Sequence, residues 1–317
     1  MDGSVEAMKS GGALAPLLSE VGETTEVRDW VILLKPRVVT LVVFTGAVGL
    51  IVAPGALNPV IAFAAVLCIA VAAGAAGAIN MWYDCDIDAV MRRTATRPVP
   101  AGRIMPSDAL GYGVALAIAS VLVMYLATNL VAAAVLALSI LFYVVVYTVW
   151  LKRRTPQNIV IGGAAGAFPP VIGWAAVTGS LDVMPLLMFA IIFFWTPPHF
   201  WSLSLFAHAD YERAGVPMLP VVSGPRSTRW HILLYTIVLA GVSLTPWALG
   251  YTGTVYGAVA AILGAWFIVA SSRVLLDRQD IRGRSLTNDA PARQAFKYSL
   301  YYLFGLFLAL AVDHWMR

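Results

Sequence analysis

The sequence predicts an all-α polytopic membrane protein, a bundle of nine transmembrane helices with cytoplasmic cap loops. Three observations lead there. Of the 317 residues, 60% are hydrophobic and only 12% are charged, about half the charged share of an ordinary soluble domain. Nine apolar runs reach the roughly 20 residues needed to cross about 30 Å of hydrocarbon. None alternates apolar and polar residues as a barrel strand would, and a backbone in lipid must satisfy its own hydrogen bonds, so helices remain.

The runs cover residues 30–53, 59–82, 108–127, 129–150, 158–178, 183–204, 229–249, 254–275 and 296–314. Residues 1–29, with Glu20, Glu23 and Glu26, lack a basic start and a short apolar core. They read as a flexible cytoplasmic tail before a single 30–317 domain. Cys68 and Cys85 show neither metal-ligand spacing nor a disulfide framework. No nucleic acid partner is expected; the surroundings are membrane lipid.

The connections after runs one, three, five and seven are short and free of Lys and Arg. Those after runs two, four, six and eight carry Arg92, Arg93, Arg97 and Arg103, then Lys152, Arg153 and Arg154, then Arg213 and Arg226, then Arg278, Arg282, Arg284 and Arg293. Cytoplasmic loops are enriched in such residues, which predicts a cytoplasmic N-terminus and a periplasmic C-terminus, with Arg317 against the trend. Pro197, Pro198 and Pro246 inside runs predict kinks, and Gly162 with Gly166 predicts a close helix contact.

Residues 80–100, "NMWYDCDIDAVMRRTATRPVP", follow the second run directly. Asn80, Asp84 and Asp88 stand four residues apart, so on a continuous helix they share an arc of about 80° and climb about 6 Å per step. Asp86 points the opposite way. Three oxygen ligands at the mouth of a helix suit Mg²⁺, which takes one or two carboxylates and completes its shell with water and phosphate. Arg92, Arg93 and Arg97 would then bind phosphate oxygens beyond the metal's reach. A solvated loop whose mixed charges mark the interface is the alternative. Carboxylates gathered on the connections, with none expected inside the runs, argue against an ion-coupled transporter.

His199 in "FFWTPPHFWSLSL" lies deep in the sixth run, beside Trp195, Phe200 and Trp201. It reads equally as a packed core residue and as a site for a flat ring system, where it would serve as iron ligand or proton acceptor. Asp210, Glu212 and Arg213 follow on the next basic connection; Asp210 either orients the diphosphate or belongs to the surface. Lys152 and Arg153 are topology determinants first and diphosphate contacts second.

"LLKPRVV" at 33–39, the 80–100 stretch, "TPPHFWSLSL" and "DYERAGVPMLPVV" together resemble the UbiA-type intramembrane prenyltransferases, and within them the branch that farnesylates haem. The resemblance covers the chain after about residue 28. One departure is that "AHADYER" carries Asp210 but no second aspartate four residues on, which leaves a second metal without its usual ligand. The resemblance implies transfer of the farnesyl group of farnesyl diphosphate to the 2-vinyl group of haem b, with haem b as substrate and Mg²⁺ as cofactor. It implies Asn80, Asp84 and Asp88 as metal ligands and Arg93, Arg97 and His199 as catalytic groups. Lys35, Arg37, Arg92, Lys152, Arg153, Trp201 and Asp210 would bind substrate, with Trp82 and Tyr83 lining the chamber. A quinone precursor is the alternative acceptor. A haem A synthase or another oxidase-assembly protein is the implied partner, and the bacterial inner membrane the location.

Overall fold

The computed structural model describes residues 25–317; the first 24 residues of the expected tail lie outside them. Eight helices are long and apolar enough to cross a membrane, and a bent pair supplies a ninth crossing. No β-strand occurs among the described residues.

The bent pair is the first departure from expectation. Run one is not a single helix: α1 (Val27–Leu33) and α2 (Pro36–Val52) meet at 51°. The break is at Lys35, which has a left-handed backbone (φ 51°) followed by Pro36. Proline removes a donor and disfavours helical geometry in the residue before it, so α1 cannot continue into α2. The tail boundary also moves, because Glu26 and Asp29 form a reciprocal capping box that starts α1 inside the region expected to be flexible.

Next come α3 (Pro59–Tyr83), the short α4 (Cys85–Val90), α5 (Pro106–Ala127) and α6 (Leu130–Leu141). The last runs on into a π-helical stretch, Phe142–Leu151. Then follow α7 (Asn158–Thr178) and α8 (Val183–Phe206), with the small helices α9 (His208–Arg213) and α10 (Leu219–Val222) in the connection behind them. The chain closes with α11 (Gly224–Ala248), α12 (Thr254–Leu275) and α13 (Ala290–Met316). Asn58 and Asn129 cap α3 and α6 by accepting from Val60 N and Ala132 N, which satisfies donors a helix start leaves open.

Glycine sets the closest approach in the bundle. A Cβ on Gly49 would lie 2.2 Å from the Pro170 carbonyl oxygen, and one on Gly173 only 2.0 Å from that of Gly46. The backbones of α2 and α7 therefore touch with nothing between them. Gly162 makes room for the ring of Tyr147, whereas nothing approaches Gly166; the expected pair is one contact. Phe63, Ile118, Leu126 and Ile262 face outward, as lipid-facing side chains do.

Helix α13 carries a carboxylate that the charge pattern overlooked. Asp313 is 3% exposed and accepts from Gly253 N at 2.6 Å and Tyr256 N at 3.2 Å. It thus caps the start of α12, a structural task rather than an ion path.

Candidate active site

The acidic stretch is helical up to Tyr83, breaks at Asp84 (φ −94°, ψ 12°) and resumes as α4. Backbone bonds Asp84 N to Asn80 O and Asp88 N to Asp84 O bridge the break at 3.0 and 2.8 Å. Asn80, Asp84 and Asp88 therefore stay one turn apart, although the helix does not persist as a single rod. All three are buried, with Asp84 at 0% and Asp88 at 2% exposure.

Burying two carboxylates is costly unless each is paired, and each is. Lys152 Nζ binds Asp84 Oδ2, and Arg153 reaches Asp84 Oδ1 at 3.5 Å. Arg97 holds Asp88, and Lys35 Nζ donates to Asn80 Oδ1 at 2.7 Å. Asn80 Nδ2 donates to Asp84 Oδ2 at 2.7 Å. The expected ladder is thus already matched oxygen by oxygen to cations from α1–α2, the loop after α4 and the loop after the π-helix. Among the described residues no three His, Cys, Asp or Glu side chains converge. Two carboxylates and one amide oxygen are nevertheless the donor set Mg²⁺ uses when a substrate phosphate completes its shell. Lys35, Lys152 and Arg97 set three basic side chains around these oxygens, which favours an anion beside them. The residues therefore fit a metal-bound diphosphate that would draw these cations onto itself.

Asp86 faces the other way, as its spacing predicts. It forms a two-pronged pair with Arg153, both contacts 2.7 Å, and this bonding holds its carboxyl below the ordinary value of 3.8. Arg153 also donates to the Tyr83 carbonyl and lies over the Tyr83 ring at 4.9 Å. Tyr83 is therefore committed to Arg153, and Trp82 packs beside Leu33 and Met81 rather than lining a chamber.

Several expected substrate contacts stand elsewhere. Arg37, one residue past the start of α2, is exposed. Arg93 acts electrostatically on Tyr211 of α9, which brings the first charged loop near the connection after α8. Asp210 pairs with Arg213 within α9, and with Arg92 these two line a cavity of about 490 Å³. Trp201, 2% exposed, packs edge-on against Tyr235 at 5.1 Å and His231 at 5.7 Å of α11. It packs in the core between α8 and α11.

His199 is held on three sides. Its ring stacks on Trp195 (4.3 Å) and on Phe296 (4.6 Å), and its Nδ1 lies 2.7 Å from Ser299 Oγ. A ring sandwiched in this way cannot turn, which leaves Nε2 for any further partner.

Three residues of the site carry no sequence signal of the acidic or basic kind. Thr148, fully buried in the π-helix, accepts from Asn80 Nδ2 at 3.1 Å. Tyr143 and Tyr147 stand on the same stretch with ring centres 5.4 Å apart, and the Tyr143 carbonyl accepts from Thr148 Oγ1 at 2.9 Å. A wide π turn is uncommon and marks functional sites often. The clue in the sequence was two tyrosines four residues apart at the inner end of an apolar run, just before Lys152.

Residues 41–311 match the family described as the UbiA prenyltransferase family. The chain belongs to the UbiA prenyltransferase family. Relatives within the family include the protoheme IX farnesyltransferase of Granulibacter bethesdensis, 68% identical over 95% of both chains. That of Acidiphilium cryptum is also 68% identical, over 90% of both. Among solved structures, a digeranylgeranylglyceryl phosphate synthase superposes with a TM-score of 0.74 at 17% identity, covering 92% of this chain and 99% of its own. A UbiA homologue from Archaeoglobus fulgidus bound to GPP and Mg²⁺ superposes with a TM-score of 0.63 at 16% identity, covering 89% and 99%. These likenesses establish the UbiA fold, and this member of the family is an integral membrane prenyltransferase.

Proposed function

We infer that the protein transfers the farnesyl group of farnesyl diphosphate to the 2-vinyl group of haem b, with addition of one water, giving haem O and diphosphate. The observation that carries this reading is the buried cluster of Asn80, Asp84 and Asp88 under Lys35, Lys152 and Arg97, in a chain 68% identical to protoheme IX farnesyltransferases.

Asn80 Oδ1, Asp84 and Asp88 would hold Mg²⁺, which when bound supplies a Lewis acid for the diphosphate oxygens. Lys35, Lys152 and Arg97 exchange their present partners for diphosphate oxygens and stabilise the charge that develops as the carbon–oxygen bond breaks. In a buried cluster such fixed charges act far more strongly than in water. Arg153 stays on Asp86 and acts by orienting Asp84. Arg93 acts through Tyr211, keeping the two charged loops together. Tyr143 and Tyr147 present electron-rich rings to the allylic cation and keep bulk water away from it. The haem vinyl carbon then attacks the cation, and one water adds to the resulting porphyrin cation and gives up a proton, leaving a hydroxyl. His199, fixed by Trp195, Phe296 and Ser299, serves the haem half of the reaction. The charged loops lie on the cytoplasmic side of the bacterial inner membrane, and a haem A synthase or another oxidase-assembly protein takes up the product.

The test is to incubate purified protein with haem b, farnesyl diphosphate and Mg²⁺, then weigh the porphyrin and assay free diphosphate. A porphyrin heavier by one farnesyl group and one hydroxyl, with equimolar diphosphate, is the expected result. Haem of unchanged mass, with a quinone precursor farnesylated when it replaces haem b in the same assay, would overturn the acceptor, and no diphosphate release with either would overturn the activity.

A further inference from the structure

We propose that the cavity lined by Arg92, Phe206, Asp210 and Arg213 is the seat of the porphyrin's two carboxylates, separate from the diphosphate cluster. The proposal rests on the functional reading above. It assigns a place to the half of the acceptor substrate that the Asn80–Asp84–Asp88 cluster leaves without a partner.

The cavity measures about 490 Å³ and opens among the charged loops, between the loop after α4 and α9. Its chemistry suits an anion rather than a second metal. The single carboxylate in its lining, Asp210, is already joined to Arg213, and four residues beyond Asp210 stands Ala214. Arg92 adds a further cation to the lining, and Arg293 lays its guanidinium over the ring of Phe206 at 4.5 Å. Arginine's planar fork matches a carboxylate with two parallel bonds.

The cavity also stands at the head of a run of flat rings. Phe206, in its wall, meets Phe296 edge-on at 5.8 Å. Phe296 stacks on His199, and His199 on Trp195. An aromatic path thus leads from the arginines into the bundle along α8 and α13. A porphyrin has the same division: an apolar disc with vinyl groups on one side and two propionates at the remote edge. Laid against the edge of this packed row, it would keep its carboxylates with the arginines at the wet rim and its disc against the rings. The diphosphate cluster draws on a different set of cations, Lys35, Lys152 and Arg97, so the two anionic substrates do not compete for one site. Arg92 in the cavity wall and Arg97 on Asp88 stand on the same loop, which sets the two places side by side.

Absorbance titration of the purified protein with haem b and with its dimethyl ester tests this, together with farnesyl diphosphate affinity and product mass in the same samples. The expected result is that wild type binds haem b at least about tenfold more tightly than the ester, about 1.4 kcal/mol of preference. Arg92→Gln with Arg213→Gln loses that preference, keeps its affinity for the ester and keeps its affinity for farnesyl diphosphate. Equal affinities of wild type for the two haems would overturn the proposal without any variant. So would a double variant whose loss falls on farnesyl diphosphate instead. Haem b that is farnesylated without such discrimination sinks this pocket alone, whereas haem b that is never farnesylated sinks the function.

Discussion

Thr148 Oγ1 accepts from Asn80 Nδ2 at 3.1 Å while donating to the Tyr143 carbonyl at 2.9 Å. The threonine thereby fixes which end of the Asn80 amide faces Lys35: the nitrogen is occupied by Thr148 and Asp84, and the oxygen is turned to the cation. Thr148→Val keeps the shape and removes the acceptor. A buried donor stripped of a partner costs about 1–3 kcal/mol, so the Mg²⁺ concentration for half-maximal farnesyl diphosphate binding should rise about tenfold. Thr148→Ser should restore it. Unchanged Mg²⁺ dependence in the valine variant would make Thr148 a packing residue.

Asp84 and Lys152 form a buried pair. Removing one partner of such a pair strands the other charge, at about 3–5 kcal/mol. Asp84→Asn and Lys152→Met should each lower the melting temperature in detergent. The double variant should recover most of the loss, because no unpaired charge remains. Turnover should stay at least about a hundredfold down in Asp84→Asn and in the double variant, since a neutral amide cannot replace the carboxylate at the departing diphosphate. Turnover that recovers together with stability would show the pair to be purely structural.

His199→Phe preserves the stack with Trp195 and Phe296 and removes both ring nitrogens. If the haem half of the reaction uses Nε2, haem farnesylation should fall by about 10²-fold, the lower range for a positioned proton-transfer group. Farnesyl diphosphate affinity should stay within about twofold, because the change is remote from that cluster. A variant with the wild-type rate would leave His199 as a core residue held by Ser299.

Asp86 is stabilised as a carboxylate by Arg153. A depressed folded-state pKa contributes stability above the ordinary value of 3.8 and loses it as pH falls through the lowered one. The melting temperature of wild type should therefore exceed that of Asp86→Asn at neutral pH, and the difference should shrink below pH about 4. The pair is largely exposed, so the gap is small, under about 1 kcal/mol. A gap that is constant with pH would mean the carboxylate is not what Arg153 holds.

How much of this was legible beforehand follows from what kind of information each feature needs. The crossings were readable because hydrocarbon thickness dictates the length of an apolar run, and 158–178 and 254–275 match α7 and α12 to the residue. The break at Lys35 was written in the following proline, but a run of apolar residues on both sides concealed it. Spacing correctly put Asn80, Asp84 and Asp88 on one face and Asp86 on the other. It did not reveal that cations from three other segments already meet those oxygens, because pairing depends on which loops the fold brings together. Thr148 was illegible for a different reason: a hydroxyl in an apolar helix looks the same whether it bonds its own backbone or, as here, another helix as well. The packing of Trp201 against α11 was not legible either, since neighbours in sequence say little about which face of α8 an indole occupies.

The contact of Gly49 with Pro170, and of Gly173 with Gly46, carries a last consequence. A seam closed main chain against main chain cannot serve as a door, because no side chain there can swing aside. Greasy substrates dissolved in the bilayer must therefore reach the reaction centre through some other flank of the bundle, while the α2–α7 seam acts as the fixed wall against which that flank opens.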